Sequence, residues 1–317
     1  MRVSTHTRRF EYKIQYICSD HYTFLILVCH SVGILATNTC QTSRLRCLLH
    51  DRFEWSDICY NKPRNMKKDK SHIEKVPDAE VIKKLLPLAE FLKNYHHYRV
   101  DGMSKIPKEG KGIILVNHSL ATYDILLLGY MIYTKLQRLP RALADRQFYK
   151  NDITANFMHK IGVHEAGHDN AQELLEKGEL LILAPGGMKE SIRSSEEKFQ
   201  IKWDDRTGFA RLAIRTQAPI ILAACPGADN MYEVKASPIT DFAYKYLKLP
   251  VTFAKGFRNT ILPKPTKLVH YIHEPILPPV FEGEGEPPVE MVKAFHDKVI
   301  RAMEKLIQDN LTIYLKK

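Results

Sequence analysis

Short apolar runs that alternate with amphipathic segments, between residues 112 and 225, most constrain the fold of this chain. The runs GIILVNHS (112–119), ELLILAPGG (179–187) and APIILAAC (218–225) each contain four to six apolar residues in a row. Runs of this length, bounded by turn residues, are typical of strands that are buried on both faces, as parallel strands are. The alternation of strand and helix therefore predicts an α/β domain with a mostly parallel central sheet flanked by helices.

Helical periodicity fills the spaces between these strands. The predicted helices cover 124–136, 153–162, 171–178, 208–217 and 288–308, and two further short strands cover 140–147 and 162–163. Asp169 and Asn170 offer an N-cap for one of these helices, and Gly178 offers its C-terminal stop. The pattern extends the α/β assignment to nearly the end of the chain.

A further amphipathic helix is predicted at the N-terminal end of this domain, over residues 79–95, with a kink at Pro87. Its apolar stripe consists of Val81, Ile82, Leu85, Leu88, Ala89 and Leu92, and lysines lie opposite. Such a stripe either packs on the protein core or lies in a membrane interface. The sequence leaves both interpretations open.

Residues 1–65 differ from the rest of the chain. They hold five of the six cysteines, none in C-x-x-C spacing, and one apolar run of fifteen residues, 22–36, behind Arg8, Arg9 and Lys13. That run is short for a membrane span. We therefore treat 1–65 as a leader that we expect to be poorly ordered, with three interpretations: an over-extended reading frame that truly starts at Met66, a signal or anchor, or an unexplained tail. Residues 66–317 form the predicted functional domain.

The net charge of +11 and the pI near 9.2 favour an anionic partner. Lipid headgroups, phosphate-rich small molecules and nucleic acid all fit that charge, although no basic run is interleaved with aromatic residues as a single-strand binder requires. We therefore expect no nucleic-acid partner. A solvated surface that aids solubility is the alternative explanation of the charge.

The stretch HEAGH (164–168) satisfies the H-E-x-x-H pattern of zinc peptidases. That chemistry needs His164 and His168 on one helical face as zinc ligands, with Glu165 activating a bound water. Gly167 and the predicted N-cap at 169–170 argue instead for a strand-to-helix loop. The sequence favours the loop, and a zinc hydrolase stays as an alternative.

Two loops that follow predicted buried strands carry better candidates for catalysis, because ligands gather beyond the carboxyl ends of strands in α/β sheets. In the first loop, His118 follows a strand and Asp124 opens the next helix, from which it can turn back to the imidazole. An oriented imidazole suits general-base catalysis on a hydroxyl. The second loop contains Gly186 and Gly187, whose backbone N–H groups can approach a phosphate or an oxyanion. A helix cap and a tight turn are the structural alternatives.

Taken in order, the blocks NHSLATYD, GVHEAGHDNAQELLEKGELLILAPGGMKES, DDRTGFARLAIRTQAPIILAAC and LPKPTKLVHYIHEPI resemble the glycerolipid acyltransferase superfamily of PlsC-like lysophospholipid acyltransferases. The resemblance covers about 97–310 and implies that His118 and Asp124 form the catalytic dyad. The family usually has four residues between them, whereas this chain has five. That departure resembles the branch that includes diacylglycerol and monoacylglycerol acyltransferases.

The glycine block departs in the same direction. Pro185, Gly186, Gly187 and Glu190 resemble the P-G-G-x-x-E form of the neutral-lipid branch, without the arginine that holds an acceptor phosphate in other members. The remaining cations near the block that could bind phosphate are Lys189, Arg193 and Arg206. The resemblance also implies that residues 164–171 contact substrate.

The resemblance implies transfer of an acyl group from acyl-CoA or an acyl carrier protein to a lipid hydroxyl, with no metal or other cofactor. The oxyanion would be stabilised near Gly186 and Gly187. We expect peripheral association with an anionic, cytoplasmic membrane surface, or a single-span anchor if residues 22–36 are part of the protein. A non-catalytic lipid-binding protein of the same fold is a further alternative.

Overall fold

The computed structural model describes residues 76–242, 246, 252–283 and 285–315. All of these residues lie in the compact unit that spans residues 68–317. The predictions for the leader 1–65, including its apolar run 22–36, fall outside the described residues.

The described residues follow the predicted alternation of strands and helices. The helices are α1 (Ala79–Tyr95), α2 (Tyr123–Leu136), α3 (Asp152–Lys160), α4 (His168–Glu176), α5 (Gly187–Ser191), α6 (Gly208–Thr216), α7 (Pro238–Phe242), α8 (Val289–Asp309) and α9 (Thr312–Leu315). The strands are β1 (Arg99–Asp101), β2 (Gly112–Val116), β3 (Arg141–Ala144), β4 (Val163–Glu165), β5 (Leu180–Leu183), β6 (Ile220–Ala224), β7 (Glu233–Lys235), β8 (Phe253–Lys255) and β9 (Val269–Ile272).

Seven strands of the described chain form one sheet in the order β1-β9-β6-β2-β5-β3-β4. Every neighbouring pair is parallel except β6 with β9, which is antiparallel. The predicted α/β class with a mostly parallel central sheet is therefore confirmed. Strands β7 and β8 pair with each other outside this sheet.

Side chains of the central strands alternate between two apolar layers, as the period of two in a strand requires. Ile113 and Leu115 of β2 pack with α4, α6 and α8 on one face of the sheet. Ile114 and Val116 pack with α2 on the other face. Both layers exclude water from the central strands, so polar groups gather at the strand ends.

Helix α1 begins at the predicted residue, and the Asp78 side chain caps it by accepting from the backbone N–H groups of Glu80 and Val81. The helix packs against α2 and α3. None of its residues is fully buried. Among the described residues, no helix is both long enough and apolar enough to cross a bilayer.

Candidate active site

The candidate site lies where three adjacent strands end. Strand β2 lies between β5 and β6, and all three run parallel. Their carboxyl ends therefore bring together the loops that begin at residues 117, 184 and 225. Asn117 joins two of these loops, because its Oδ1 accepts from the backbone N–H of Cys225 at 2.7 Å and its Nδ2 donates to the Cys225 carbonyl at 3.4 Å.

His118 lies directly after Asn117 and is half-buried. Its Nδ1 lies 2.9 Å from the carbonyl oxygen of Ser119, which can only accept, so Nδ1 carries the proton. Nε2 is then the basic nitrogen. Burial lowers the pKa of His118, and the Arg193 charge adds to that effect, while the bond to Ser119 opposes it. The ring is therefore neutral near pH 7, as a general base must be.

Asp124 lies in the first turn of α2 and is fully buried. Its Oδ1 accepts from the Ser119 hydroxyl at 3.3 Å, and its Oδ2 has no hydrogen-bond partner among the described residues. The direct hydrogen bond to His118 that the loop sequence suggests is absent from this geometry. Ser119 instead lies between the two side chains and contacts both. Burial raises the pKa of Asp124 to about 7, although the Ser119 bond opposes the shift.

Two residues that the sequence analysis missed lie behind Asp124. Tyr98 and His270 are both buried, and the Tyr98 hydroxyl lies 2.8 Å from His270 Nδ1. Burial raises the pKa of Tyr98 well above its ordinary value, so the hydroxyl stays protonated. Burial lowers the pKa of His270 to about 3, so the ring is neutral. His270 Nε2 lies 3.9 Å from Asp124 Oδ2, which is close but too long for a hydrogen bond.

The ligand atoms of Asp124, Cys225 and His270 lie within 4.8 Å of one another, so this buried group is the candidate metal site of the described residues. Burial holds the pKa of the Cys225 thiol well above its usual range. The thiol is therefore protonated beside Asp124 and His270, and the three side chains form a buried polar group.

The glycine loop after β5 supports His118 through Glu190 and Arg193. Arg193 donates from Nη1 to the His118 carbonyl oxygen at 2.6 Å and to the Glu190 carbonyl oxygen at 3.0 Å. From Nη2 it donates to both carboxylate oxygens of Asp229, at 2.5 and 2.6 Å. Arg193 thus joins the backbone of the loop that carries His118, residues 117–122 (the catalytic loop), to the loop after β6. The Arg193 side chain is only 4% exposed.

Glu190 is buried beneath the same loop. Its Oε2 accepts from the Trp203 indole at 3.2 Å, and burial raises its pKa to about 7, while the Arg193 charge opposes the shift. A Cβ placed on Gly186 would lie 1.9 Å from Glu190 Oε2, so only glycine leaves room for this carboxyl. Gly186 is thus required by an internal neighbour, and the approach of its backbone N–H to a ligand stays a prediction.

Gly187 has a positive φ of 49°, and a Cβ there would lie 2.8 Å from an Arg206 nitrogen. Arg206 donates to the carbonyl oxygens of Pro185 and Gly186 at 2.9 and 2.6 Å. Arg206 is exposed, and it lies over the outer side of the glycine loop. The positive φ and the nearby Arg206 side chain together explain why residue 187 is a glycine.

The three cations suggested for phosphate binding have different surroundings. Lys189 forms an exposed ion pair with Asp204 at 2.7 Å, and Arg206 binds backbone carbonyls of the glycine loop. Arg193 is buried and bidentate to Asp229, so its guanidinium is committed to the protein interior. Lys189 and Arg206 remain at the surface.

The HEAGH stretch does not lie on one helix. His164 belongs to β4 and is buried, whereas His168 is the exposed first residue of α4. The N-cap of α4 is Gly167, without a side-chain cap, so the helix begins before the predicted cap at 169–170. Glu165 pairs with Arg146 at 2.9 Å. A strand and a helix thus divide the motif, and the shared helical face of a zinc peptidase is not formed.

A small cavity opens beside the catalytic loop. It is lined by Leu120, Arg193, Lys198, Asp229, Tyr232 and Val234, among others. Its wall thus combines the catalytic loop, the glycine loop and the root of β7. A substrate that reaches His118 from this side would pass these groups.

Comparison with known proteins places a family domain on these same residues. Residues 97–225 match the family model described as Acyltransferase. The matched range includes both candidate loops, with His118, Asp124 and the glycine block. The resemblance drawn from the sequence motifs to the PlsC-like acyltransferase superfamily is confirmed.

The chain is similar to proteins named "DGAT1/2-independent enzyme synthesizing storage lipids". The Bos taurus protein is 32% identical over 182 residues, which cover 57% of this chain and 53% of that protein. The Homo sapiens protein is also 32% identical over 182 residues, covering 57% of this chain and 54% of that protein. The chain therefore spans about half the length of these curated relatives.

A similar solved structure is that of the 1-acyl-sn-glycerophosphate (LPA) acyltransferase PlsC from Thermotoga maritima. It shares 18% identity at a TM-score of 0.44, covering 76% of this chain and 84% of that chain.

Proposed function

Residues 97–225 match the family model described as Acyltransferase, and from that premise we propose that the chain transfers a fatty acyl group from an acyl thioester to a lipid hydroxyl. The observation that supports this most is the position of His118. It is a neutral imidazole whose Nδ1 proton is held by Ser119, and its backbone is fixed by Arg193. Such a ring leaves Nε2 ready to accept a proton.

In the proposed reaction, His118 Nε2 takes the proton of the acceptor hydroxyl while the hydroxyl oxygen attacks the thioester carbonyl. The tetrahedral intermediate then expels the thiolate, which takes the proton back from the imidazolium. The ester bond forms as the thioester bond breaks, so no oxidant or reductant is required. Asp124 contributes through Ser119, because a carboxylate near the ring stabilises the imidazolium.

We assign the oxyanion contact to the backbone N–H of Gly186. The Gly187 N–H already donates to the Ala184 carbonyl at 3.0 Å within the turn. Glu190 fills the space against Gly186, and the backbone N–H of His118 lowers the pKa of the same carboxyl. The glycine loop is therefore close to the catalytic loop, as oxyanion stabilisation requires.

For the acceptor, we propose a neutral glyceride or a similar lipid alcohol. The glycine block has no arginine at the place where phosphate-binding members have one, and Arg193 is occupied by Asp229. The relatives named for storage-lipid synthesis point in the same direction. The acyl donor in this proposal is acyl-CoA or an acylated acyl carrier protein. The protein associates peripherally with the cytoplasmic face of the membrane.

The test is acyl transfer by the full-length protein from oleoyl-CoA to monoacylglycerol, diacylglycerol and a set of lysophospholipids. His118→Ala should abolish product formation, whereas His164→Ala, which alters a buried histidine outside the dyad, should retain it provided that the thermal transition is unchanged. Neutral-glyceride products would support the proposed acceptor, and lysophospholipid products would replace it. A fully active His118→Ala variant would refute the proposed mechanism.

The zinc alternative has its own readout. Purified protein with stoichiometric zinc, together with activity that is lost in His164→Ala but retained in His118→Ala, would favour a hydrolase. Vesicle binding without acyl transfer from oleoyl-CoA or an oleoyl acyl carrier protein would favour a lipid-binding protein of the same fold.

A further inference from the structure

The segment from Tyr232 to Lys267 carries a disproportionate share of the positive charge. It contains seven basic and two acidic residues, a net charge of +5 in 36 residues, compared with +11 for the whole chain. Within the described part of this segment, Lys235, Lys255, Arg258 and Lys267 are exposed. This concentration of charge is not spread over the surface, as a general solubility role would require.

The same segment exposes large apolar side chains at one folded tip, residues 256–262. Phe257, Ile261 and Leu262 are 39%, 40% and 59% exposed. On α7, Ile239 and Phe242 are 59% and 58% exposed. Several exposed large apolar side chains in one short segment mark an interaction surface more often than scattered ones do.

Backbone hydrogen bonds hold this tip in shape. Gly256 donates to the Thr260 carbonyl and Phe257 donates to the Leu262 carbonyl, both at 2.7 Å. A Cβ on Gly256 would lie 1.7 Å from the Leu262 carbonyl oxygen, so the turn requires glycine. The Arg258 guanidinium lies 5.2 Å from the centroid of the Phe257 ring. The apolar side chains are therefore presented by a built turn.

The tip is connected to the candidate active site through Tyr232. The Tyr232 hydroxyl donates to the Ile261 carbonyl at 3.0 Å. Tyr232 also lines the small cavity beside the catalytic loop, together with Val234 of β7 and with Arg193. A lipid held at the tip would thus be adjacent to the cavity wall that includes Arg193, which binds the His118 carbonyl oxygen.

We propose that the tip, residues 256–262, is the surface by which the protein docks on an anionic lipid bilayer, and that lipid substrate enters between this surface and the cavity at Tyr232. The proposal rests on the proposed function for the identity of the substrate. Apolar side chains enter the headgroup and acyl boundary, while lysines and arginines around them meet anionic headgroups. The net positive charge of the segment supplies the attraction to anionic headgroups. This charge favours an anionic bilayer over a neutral apolar partner as the occupant of the surface.

The amphipathic helix α1 offers the competing face. Its Leu88 and Phe91 are 38% and 63% exposed. Its remaining stripe faces α2 and α3, against which the helix packs. These two residues therefore provide a matched control of similar exposed fraction on a different element.

The first experiment measures flotation of the full-length protein with vesicles of phosphatidylcholine, with and without phosphatidylserine. The variant Phe257→Ser/Leu262→Ser should bind anionic vesicles about tenfold more weakly than the wild type, from the loss of buried apolar area. Leu88→Ser/Phe91→Ser should bind like the wild type. Lys255→Glu/Lys267→Glu should lose the preference for phosphatidylserine. Circular dichroism melting checks that each variant folds.

A second measurement detects insertion of the tip even if another part of the chain also binds the membrane. After the wild-type signal is subtracted, the tryptophan fluorescence of Leu262→Trp should be quenched by brominated phosphatidylcholine in the vesicles. The fluorescence of Phe91→Trp should not be quenched. Quenching at Phe91→Trp alone would overturn the proposal in favour of α1, and quenching at neither position would overturn it outright.

Two further outcomes separate this inference from the proposed function. If the tip variant loses turnover on acceptor embedded in vesicles but keeps it in detergent micelles, the surface serves delivery of the lipid and the proposal stands. If the fluorescence of Leu262→Trp is quenched but the wild type transfers no acyl group, the proposed function fails while the docking surface stands. A tip that instead joins two copies, seen as a dimer that Phe257→Ser/Leu262→Ser dissociates, would overturn the docking proposal.

Discussion

Removal of Asp229 should be among the most damaging single changes near the site, because it leaves a buried guanidinium with only the Glu190 carboxyl, 3.6 Å away, as a counter-charge. Arg193 and Asp229 side chains are 4% and 6% exposed and are joined by two hydrogen bonds. Breaking a buried pair by removal of one partner typically costs 3–5 kcal/mol. We therefore expect Asp229→Ala to lower the free energy of unfolding by about 3–5 kcal/mol. The Phe199 N–H, which donates to Asp229 at 2.8 Å, loses its acceptor as well.

The assay is urea unfolding of the wild type, Asp229→Ala, Arg193→Met and the double variant Arg193→Met/Asp229→Leu, at constant m-value. The double variant should lose less stability than the sum of the two single losses, because neither charge is left unpaired. Activity should fall in both single variants, mainly through kcat, since Arg193 holds the His118 carbonyl oxygen. A loss of less than about 1 kcal/mol in Asp229→Ala would refute the argument that the pair is buried and essential.

Three other changes test the neighbouring contacts. Gly186→Ala should unfold at a lower temperature and lose activity, because its Cβ would lie 1.9 Å from Glu190 Oε2. Thermal melting of Gly129→Ala, whose Cβ would have only Pro140 nearby at 3.8 Å, gives the comparison, and equal melting of the two variants would contradict the steric argument. Ser119→Ala removes a hydrogen bond that lowers the pKa of Asp124, so the pKa of Asp124 should rise. Because the ionised carboxylate supports catalysis, the acid limb of the kcat/KM profile should move to higher pH. An acid limb that does not move would show that Asp124 takes no part in the reaction. His270→Asn should reduce kcat with little change in KM, since the ring lies 3.9 Å from Asp124 Oδ2 and does not line the cavity beside the catalytic loop. An unchanged kcat would show that His270 has no part in positioning Asp124.

Local pattern was sufficient for the principal elements of the sheet. The runs at 112–119, 179–187 and 218–225 contain β2, β5 and β6, because a strand buried on both faces must be apolar at every position. The short strands β1 and β9 were not predicted. Each has few residues and includes charged or polar ones, so its strand character depends on its partners in the sheet.

For the candidate site, the sequence identified the two loops and their principal residues, His118, Asp124 and the glycine block. It did not identify His270 or the partner of Arg193. The strand that holds His270 reads as an apolar run, LVHYI, with one histidine inside it, which indicates a core residue as readily as a functional one. The structure also separated His118 from Asp124 by Ser119, which no spacing rule predicts.

The sequence by itself determined the alternation of elements and the positions of the loops, because periodicity and turn chemistry act over a few residues. The tertiary structure decided which polar groups are buried and what they contact. Tyr98 and His270 are 172 residues apart, and Arg193 and Asp229 are 36 apart, yet each pair is joined by a hydrogen bond. Desolvation and hydrogen bonding depend on such distant neighbours, so the pKa values of the site and the rigidity of its loops arise only when the sheet brings the strand ends together.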